Sequence, residues 1–332
     1  MDSRKLICFG KGSYVVSIPK KWVEKHKLRK GDILNLGEDY SGLTLSPNVA
    51  KEITERTITI TAYEKSIDLI RAEIVTAYIN GYDTIEIISK DLGEKEFEIK
   101  EILRNLAGIE IMEQTSTKTV AKSLINIREV SLHDLTRRMD IITRGMIDDT
   151  INCIDNPKAY DGIYSRDYDV NRLHFLVCRI VVSALKDPMT AKIINLSPSQ
   201  LIIYKTIVDK IEKIADRQKR IARHLAKAEF MSSTKEELKA ILINLRERYA
   251  RVMKAYYTLD KSTSYLLSIE SKEAIKACGE LLMHNSGCAI YKKKKGVPLS
   301  SNNCVMLASI VENLQAMATS IKLIARSVLE ET

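Results

Sequence analysis

Proline is scarce in this 332-residue chain, with six in all, and glycine numbers only 13. With 45% hydrophobic residues and so few breakers, the chain folds around real cores and is not disordered. Its length calls for two or three domains. The six cysteines, at positions 8, 153, 178, 278, 288 and 304, form no CxxC pair. Neither a cysteine zinc site nor a disulfide framework is indicated, and free core thiols are expected. The five histidines, at 26, 133, 174, 224 and 284, are far apart and make no HxxxH pair. His174 lies in an apolar stretch and reads as a satisfied core histidine. No apolar run reaches the ~18 residues of a membrane span. The nearest, Leu173 to Leu185, is interrupted by His174 and Arg179. The N-terminus, MDSRKLICFGKGS, has no secretory apolar region, so a cytoplasmic protein is expected. GxxxxGK[ST], GxSxG and GxGxxG are all missing. Gly10-Lys11-Gly12 precedes a hairpin strand, not a helix, and so lacks the setting of a phosphate loop.

Charge is present and unevenly spread. The net charge is +9. Residues 1–47 hold nine Lys/Arg and five Asp/Glu, residues 48–130 hold eleven and fifteen, and residues 131–332 hold thirty-two and twenty-three. Two basic segments flank an acidic one, which suggests three units with different surfaces. A basic chain is compatible with nucleic-acid binding without demonstrating it.

Local patterning divides the chain at the same places. Arg4 to Phe9 and Ser13 to Ile18 are strand-like, and the three-residue loop Gly10-Lys11-Gly12 between them signals a hairpin. Pro19 can open a short helix to Lys27 that carries Trp22, the only tryptophan, which reads as packing that helix onto a core. Ile33 to Leu36 and Leu43 to Leu45 are strands around Tyr40-Ser41-Gly42. Next come strand 57–61, helix 67–79 ending at Asn80-Gly81, strand 84–88, helix 94–106, and strands 109–112 and 120–127, a small α/β unit. From Ser131 onward helices are expected over 131–155, 166–186, 199–227, 235–268, 271–284 and 303–330. The stretch IEKIADRQKRIAR (211–223) matches LQAMATSIKLIAR (314–326) at an offset of 103 residues, which suggests two three-helix bundles in tandem.

The stretch SYVVSIPKKWVEKHKLRKGDILNL (13–36) resembles the AbrB/SpoVT swapped-hairpin family. TAYINGYDTIEI (76–87), SRDYDVNRLHFLVCRI (165–180) and IEKIAD (211–216) resemble the archaeal form of the PhoU family of phosphate-uptake regulators. The resemblance covers essentially the whole chain. It implies an AbrB-like swapped-hairpin β domain over 1–47, a small α/β domain over 48–130, and PhoU-like three-helix bundles over 131–230 and 231–332. It further implies a non-enzymatic homodimer that binds double-stranded DNA, regulates transcription of phosphate uptake and answers to a signal or partner. The alternative is an adaptor that docks on a phosphate transporter's ATPase or a sensor kinase without touching DNA.

Phosphate contacts supply most DNA affinity, so the candidate DNA-binding residues are Arg4, Lys5, Lys11, Lys20 and Lys21. The competing reading is a solvated basic face. PhoU-like bundles carry carboxylate clusters that hold a divalent metal ion or iron, because hard cations take several oxygen ligands. Carried onto this chain, the resemblance gives Asp167 and Asn171 on one helix and Asp209, Glu212 and Asp216 on the next. Asn171 departs from the family's acid. In the second repeat Glu212 and Asp216 become Gln315 and Thr319, so no cluster is expected there. The competing reading pairs Glu212 and Asp216 with Lys213, Lys219 or Arg220. A carboxylate-metal enzyme is disfavoured, since histidines at the spacing such sites use are missing. The lysine run 292–295 reads as a solvated loop, and Asp148-Asp149 as a helix surface.

Overall fold

A computed structural model of the chain describes residues 3–39, 42–47, 55–90, 92–285 and 301–330. The expected turn at Tyr40-Ser41, Cys288, the lysine run 292–295 and the break at 296–298 lie outside the described residues. The chain divides into two compact units, Met1–Thr54 and Glu55–Thr332.

In the first unit β1 (Ile7–Phe9) pairs antiparallel with β2 (Ser13–Val15), with Phe9 opposite Ser13. The register leaves residues 10–12 as the hairpin loop, and Gly10 supplies its positive φ of 70°. Helix α1 (Lys20–Lys25) follows Pro19, which stands just ahead of the first helical residue. Lys27 closes α1 with a left-handed φ of 53°, and the Leu28 N–H donates back to the Val23 carbonyl. A second antiparallel hairpin, β3 (Leu34–Asp39) with β4 (Gly42–Pro47), completes the unit.

The second unit opens with a four-stranded sheet in the order β5-β6-β8-β7. Strands β5 (Thr57–Thr61) and β6 (Thr84–Ile88) are parallel, and helix α2 (Ile67–Ile79) makes the crossover between them. Helix α3 (Glu96–Arg104) leads into the hairpin of β7 (Ile109–Gln114) and β8 (Lys118–Ser123). The strand expected over 120–127 is shifted to 118–123, and Asn126 caps a short 3-10 turn over 127–129 instead. Ile70, Ile74, Ile85, Ile87, Ile99 and Leu103 bury one core between sheet and helices. At Gly108 φ is +69°, and a Cβ there would lie 2.8 Å from the Ile125 side chain, so only glycine fits.

The described residues that follow are mostly helical: α4 (Leu132–Cys153), α5 (Tyr160–Lys186), α6 (Pro188–Ile194), α7 (Pro198–Leu225), α8 (Ser232–Thr258), α9 (Lys261–Asn285) and α10 (Ser301–Glu330). Helix α7 starts with a capping box: the Gln200 N–H donates to the Ser197 hydroxyl, while the Gln200 side chain accepts from the Ser197 N–H, with Pro198 at the first turn. The single helix expected over 235–268 is two helices. Leu259 takes a left-handed conformation (φ 52°), and Asp260 starts α9 by accepting from the Thr263 N–H at 3.0 Å. Helix α5 begins six residues earlier than expected, and α6 was not anticipated.

One apolar core runs through both sets of three long helices. The 103-residue offset is visible in it. Ile207, Ile211, Ile214, Ile221 and Leu225 are buried on α7, as are Ile310, Leu314, Met317, Ile324 and Val328 at the matching places on α10. Over Asn303–Glu330, α10 is long and apolar enough to cross a membrane, contrary to the reading of the sequence. Half of its most apolar stretch is already buried in this core, so its composition has a protein interior to account for it. Cys153, Cys178 and Cys278 are buried free thiols, whereas Cys8 is exposed, against the expectation of core placement.

Candidate functional site

Two regions carry the candidate residues. In the first unit Arg4, Lys5, Lys11, Lys20 and Lys21 are all exposed, as are Lys25, Lys27, Arg29 and Lys30. Lys20 lies 3.7 Å from Glu24 one turn along α1, an exposed pair of little energetic weight. Trp22 is half-buried and packs on the His26 ring with centroids 4.7 Å apart.

None of the unit's described residues is buried. Nine large apolar residues are exposed instead: Leu6, Ile7, Phe9, Tyr14, Val15, Val16, Ile33, Leu36 and Leu43. A domain of this size without an interior cannot offset its chain entropy alone. Full burial would contribute roughly 1.5–3 kcal/mol per side chain. Over nine residues, each already partly covered, that amounts to roughly 7–18 kcal/mol per copy, comparable to the ~4–15 kcal/mol entropic cost of association. The first unit is therefore built to be completed by another surface.

The second region lies between α5 and α7. Asp167, Asn171, His174 and Cys178 are spaced along one side of α5, and Asp209, Glu212 and Asp216 along one side of α7, the i, i+3, i+4 arrangement that makes helical residues neighbours. Asp167 is buried and receives the Lys219 ammonium at 2.5 Å and the Asn171 amide at 3.3 Å. Burial pushes its carboxyl up, against the pull of Lys219. Asp216 pairs with Lys219 at 3.4 Å and Arg220 at 2.8 Å. Asp209 accepts from Lys205 through both oxygens at 2.6 Å and lies 2.6 Å from His174 Nε2. Glu212 has no hydrogen bond or ion pair among the described residues, and desolvation, only partly offset by His174, raises its pKa. Three of the four acids expected to hold a metal are thus matched by cations of the same two helices. Lys205, Lys219 and Arg220 compensate these three acids, and Glu212 is left without an ion pair among the described residues.

His174 is mostly buried, as expected of a core histidine, but only one of its ring nitrogens is satisfied among the described residues. Its Nε2 faces Asp209 and also lies 3.4 Å from Cys178 Sγ, while Nδ1 is buried with no partner among the described residues. Burial opposes the imidazolium, but Asp209 and Cys178 outweigh it and lift the pKa to about 9. The sequence signal that could have found this site is the i, i+4 pair His174–Cys178 on one helix, which a scan for HxxxH alone passes over. Asp148 and Asp149 pair with Arg246 and Arg166. An open groove of about 740 Å³ lies beside β5, lined by Arg56, Lys65, Asn80 and Lys186, where the sequence offered no site.

Comparison with known proteins adds two findings. Residues 10–53 match the MazE antitoxin family, described as antidote-toxin recognition MazE, bacterial antitoxin. The N-terminal unit is MazE/AbrB-like. The chain is also similar to PhoU from Pseudomonas aeruginosa, with a TM-score of 0.49 and 13% identity, over 60% of this chain and 93% of that one. No curated protein matches the chain.

Proposed function

We propose that the protein is a homodimeric, DNA-binding transcriptional regulator of phosphate uptake, in which the helical unit receives a signal or partner. The observation that carries the reading is the first unit. Among its described residues none is buried, and nine large apolar side chains and nine basic ones are exposed, on a segment that matches the MazE antitoxin family. A second copy of the hairpins would bury the apolar side chains, and two-fold symmetry would present the basic ones to a pseudo-palindromic site. The phosphate part of the reading rests on the resemblance of residues 76–87, 165–180 and 211–216 to the PhoU family. Toxin recognition, which the matched family's description names, is not carried over, because the match ends at residue 53 and the 55–332 unit lies beyond it.

Fluorescence anisotropy on short duplexes from upstream of phosphate-transport genes tests this, at two salt concentrations, with wild type and Lys20→Ala/Lys21→Ala. Selective binding that weakens with salt is expected. If both lysines touch phosphates, a dimer loses four contacts, and the slope of log K against log salt falls by about three to four. Binding that ignores sequence and is untouched by the double variant overturns the transcription reading and leaves the adaptor, docked on a transporter ATPase or sensor kinase.

A further inference from the structure

The three donor atoms His174 Nε2, Cys178 Sγ and Asp209 Oδ1 all lie within 4.8 Å of one another. They come from two adjoining helices, the first two from one turn of α5 and the third from α7. We propose that His174, Cys178 and Asp209 form a binding site for a transition-metal ion of the zinc class, with Glu212 or water as the fourth ligand. This site shares Asp209 and Glu212 with the all-oxygen set Asp167, Asn171, Asp209, Glu212 and Asp216 and differs from it by the imidazole of His174 and the thiol of Cys178; it does not rest on the DNA-binding reading.

The geometry separates this site from two other uses of the same residues. A nucleophilic triad needs the thiol on one imidazole nitrogen and the carboxylate on the other. Here both address Nε2, and Nδ1 is buried without a partner among the described residues. Convergence of nitrogen, sulfur and oxygen on one point is what a metal ion requires. In a tetrahedral zinc site, bonds of about 2.0–2.3 Å put the ligand atoms about 3.3–3.6 Å apart. The Sγ–Nε2 distance of 3.4 Å already fits, and the Nε2–Oδ1 distance of 2.6 Å has to open by less than 1 Å.

The second alternative is a plain ion-pair cluster centred on Lys205. That lysine is the group a metal would displace from Asp209, and its side chain is 37% exposed, so it has a route into solvent. Lys219 has no comparable freedom, since it is clamped between Asp167 and Asp216. Lys205 leaves one carboxylate where Lys219 would have to leave two, so the exchange is easier at Asp209 than at Asp167. Donor chemistry sets the metal class. A thiolate and an imidazole favour zinc, cobalt or a similar borderline ion over magnesium or calcium. On binding, Cys178 releases its thiol proton and the His174 imidazolium its Nε2 proton to solvent, which leaves a thiolate and a ring lone pair for the metal.

The test uses the full chain stripped with a chelator and titrated with Co²⁺ alone, then with Zn²⁺ in competition. Expected are one equivalent per chain, the intense visible bands of tetrahedral cobalt and a thiolate-to-cobalt charge-transfer band, all bleached by Zn²⁺. Losing an outer-shell partner of a metal site costs ~10–100-fold in affinity, so Cys178→Ser, which removes a ligand, should cost at least about 100-fold and abolish the charge-transfer band. Cys153→Ser and Cys278→Ser should leave it intact. The wild-type spectrum decides the matter even if Cys178→Ser folds poorly. An octahedral spectrum without a thiolate band, no binding, or binding that survives Cys178→Ser but disappears in Asp167→Asn/Asp216→Asn would each overturn the proposal.

Discussion

The Arg179 guanidinium donates to the Tyr78 carbonyl at 2.6 Å and the Tyr82 carbonyl at 2.9 Å, and its carbon lies 4.9 Å from the centroid of the Tyr78 ring. A helix ends with carbonyls that have no intrahelical partner. Here α5 reaches over to the end of α2 and supplies the donors, and Lys186 adds a bond to the Asn80 side-chain oxygen at 2.8 Å. A positive charge at a helix C-terminus is favourable in its own right. Arg179 is nearly fully buried and sits 3.6 Å from Asp83, so the link between the sheet and the helices is a desolvated charge with fixed partners.

Arg179→Met should therefore destabilise the 55–332 unit. It leaves the Tyr82 carbonyl without its donor, takes one donor from the Tyr78 carbonyl, which keeps the Gly81 N–H, and leaves Asp83 without its cation, a loss of about 2–4 kcal/mol. Arg179→Lys should recover part of this, because one ammonium cannot span both carbonyls in the fork geometry. Urea denaturation gives the magnitude, and hydrogen exchange at residues 76–84 gives the place. A change below ~0.5 kcal/mol would mean that apolar packing alone holds α2 to α5.

The apolar faces of the first unit predict an association state. Leu36 is 64% exposed on β3, among the nine apolar residues that lack an interior. Leu36→Asp should shift the chain from dimer to monomer in sedimentation, by placing a charge in a surface that has to be dry. Phe97→Asp is the control, since Phe97 is as exposed but stands on α3 in the other unit. A wild-type monomer at micromolar concentration would sink the dimer reading. A dimer indifferent to Leu36→Asp would move the interface elsewhere.

Much of the architecture could be read from residue order because the signals were local. The α2 and β6 limits follow from a Ser66 cap, an Asn80-Gly81 stop and an alternating TIEII. The 103-residue repeat was readable because the same core positions recur on α7 and α10. What stayed hidden depends on partners distant in the chain. His174 appeared as a core histidine with an unnamed partner, and Arg179 only as a polar break in the run 173–185. Periodicity says that a buried polar residue needs a partner without saying which one. The structure supplies Asp209 and Cys178 for the first and the end of α2 for the second. The acids of α7 were implied by the PhoU resemblance, but their pairing with Lys205, Lys219 and Arg220 depends on side-chain directions that residue spacing leaves open.

The junction of α8 and α9 shows how a local signal is overlooked. Hydrophobic period continues across residues 258–261, and no glycine or proline marks the break. The stop is Leu259, held left-handed at φ 52°, followed by Asp260, whose carboxylate accepts from both the Thr263 N–H and hydroxyl. A branched side chain in that conformation costs about 1–2 kcal/mol. Half of Leu259 is exposed, so little packing is lost on removing it. Leu259→Gly should stabilise the protein by about 0.5–1 kcal/mol, after the entropy that glycine adds to the unfolded chain, and raise the melting temperature. A lower melting temperature would show that the leucine's contacts outweigh its strain.

His224 gives the last prediction, a pH dependence. It joins α7 to α10 through the Ser309 hydroxyl, 3.1 Å from Nε2. Partial burial, with Arg223 and Lys227 beside it, holds its pKa below the ordinary value. The unfolded chain therefore takes up the proton before the folded one does. Stability tied to neutral His224 is fully present above the unfolded pKa of ~6.5 and is lost as the pH falls toward the lower folded pKa. His224→Gln keeps a hydrogen-bonding side chain and removes the charge. Denaturant midpoints of wild type and variant should run parallel above pH ~7 and converge or cross as the pH falls to ~5, the wild type losing more. Parallel curves over the whole range would mean that His224 titrates alike in the folded and unfolded chains, so that its contact with α10 carries no pH dependence.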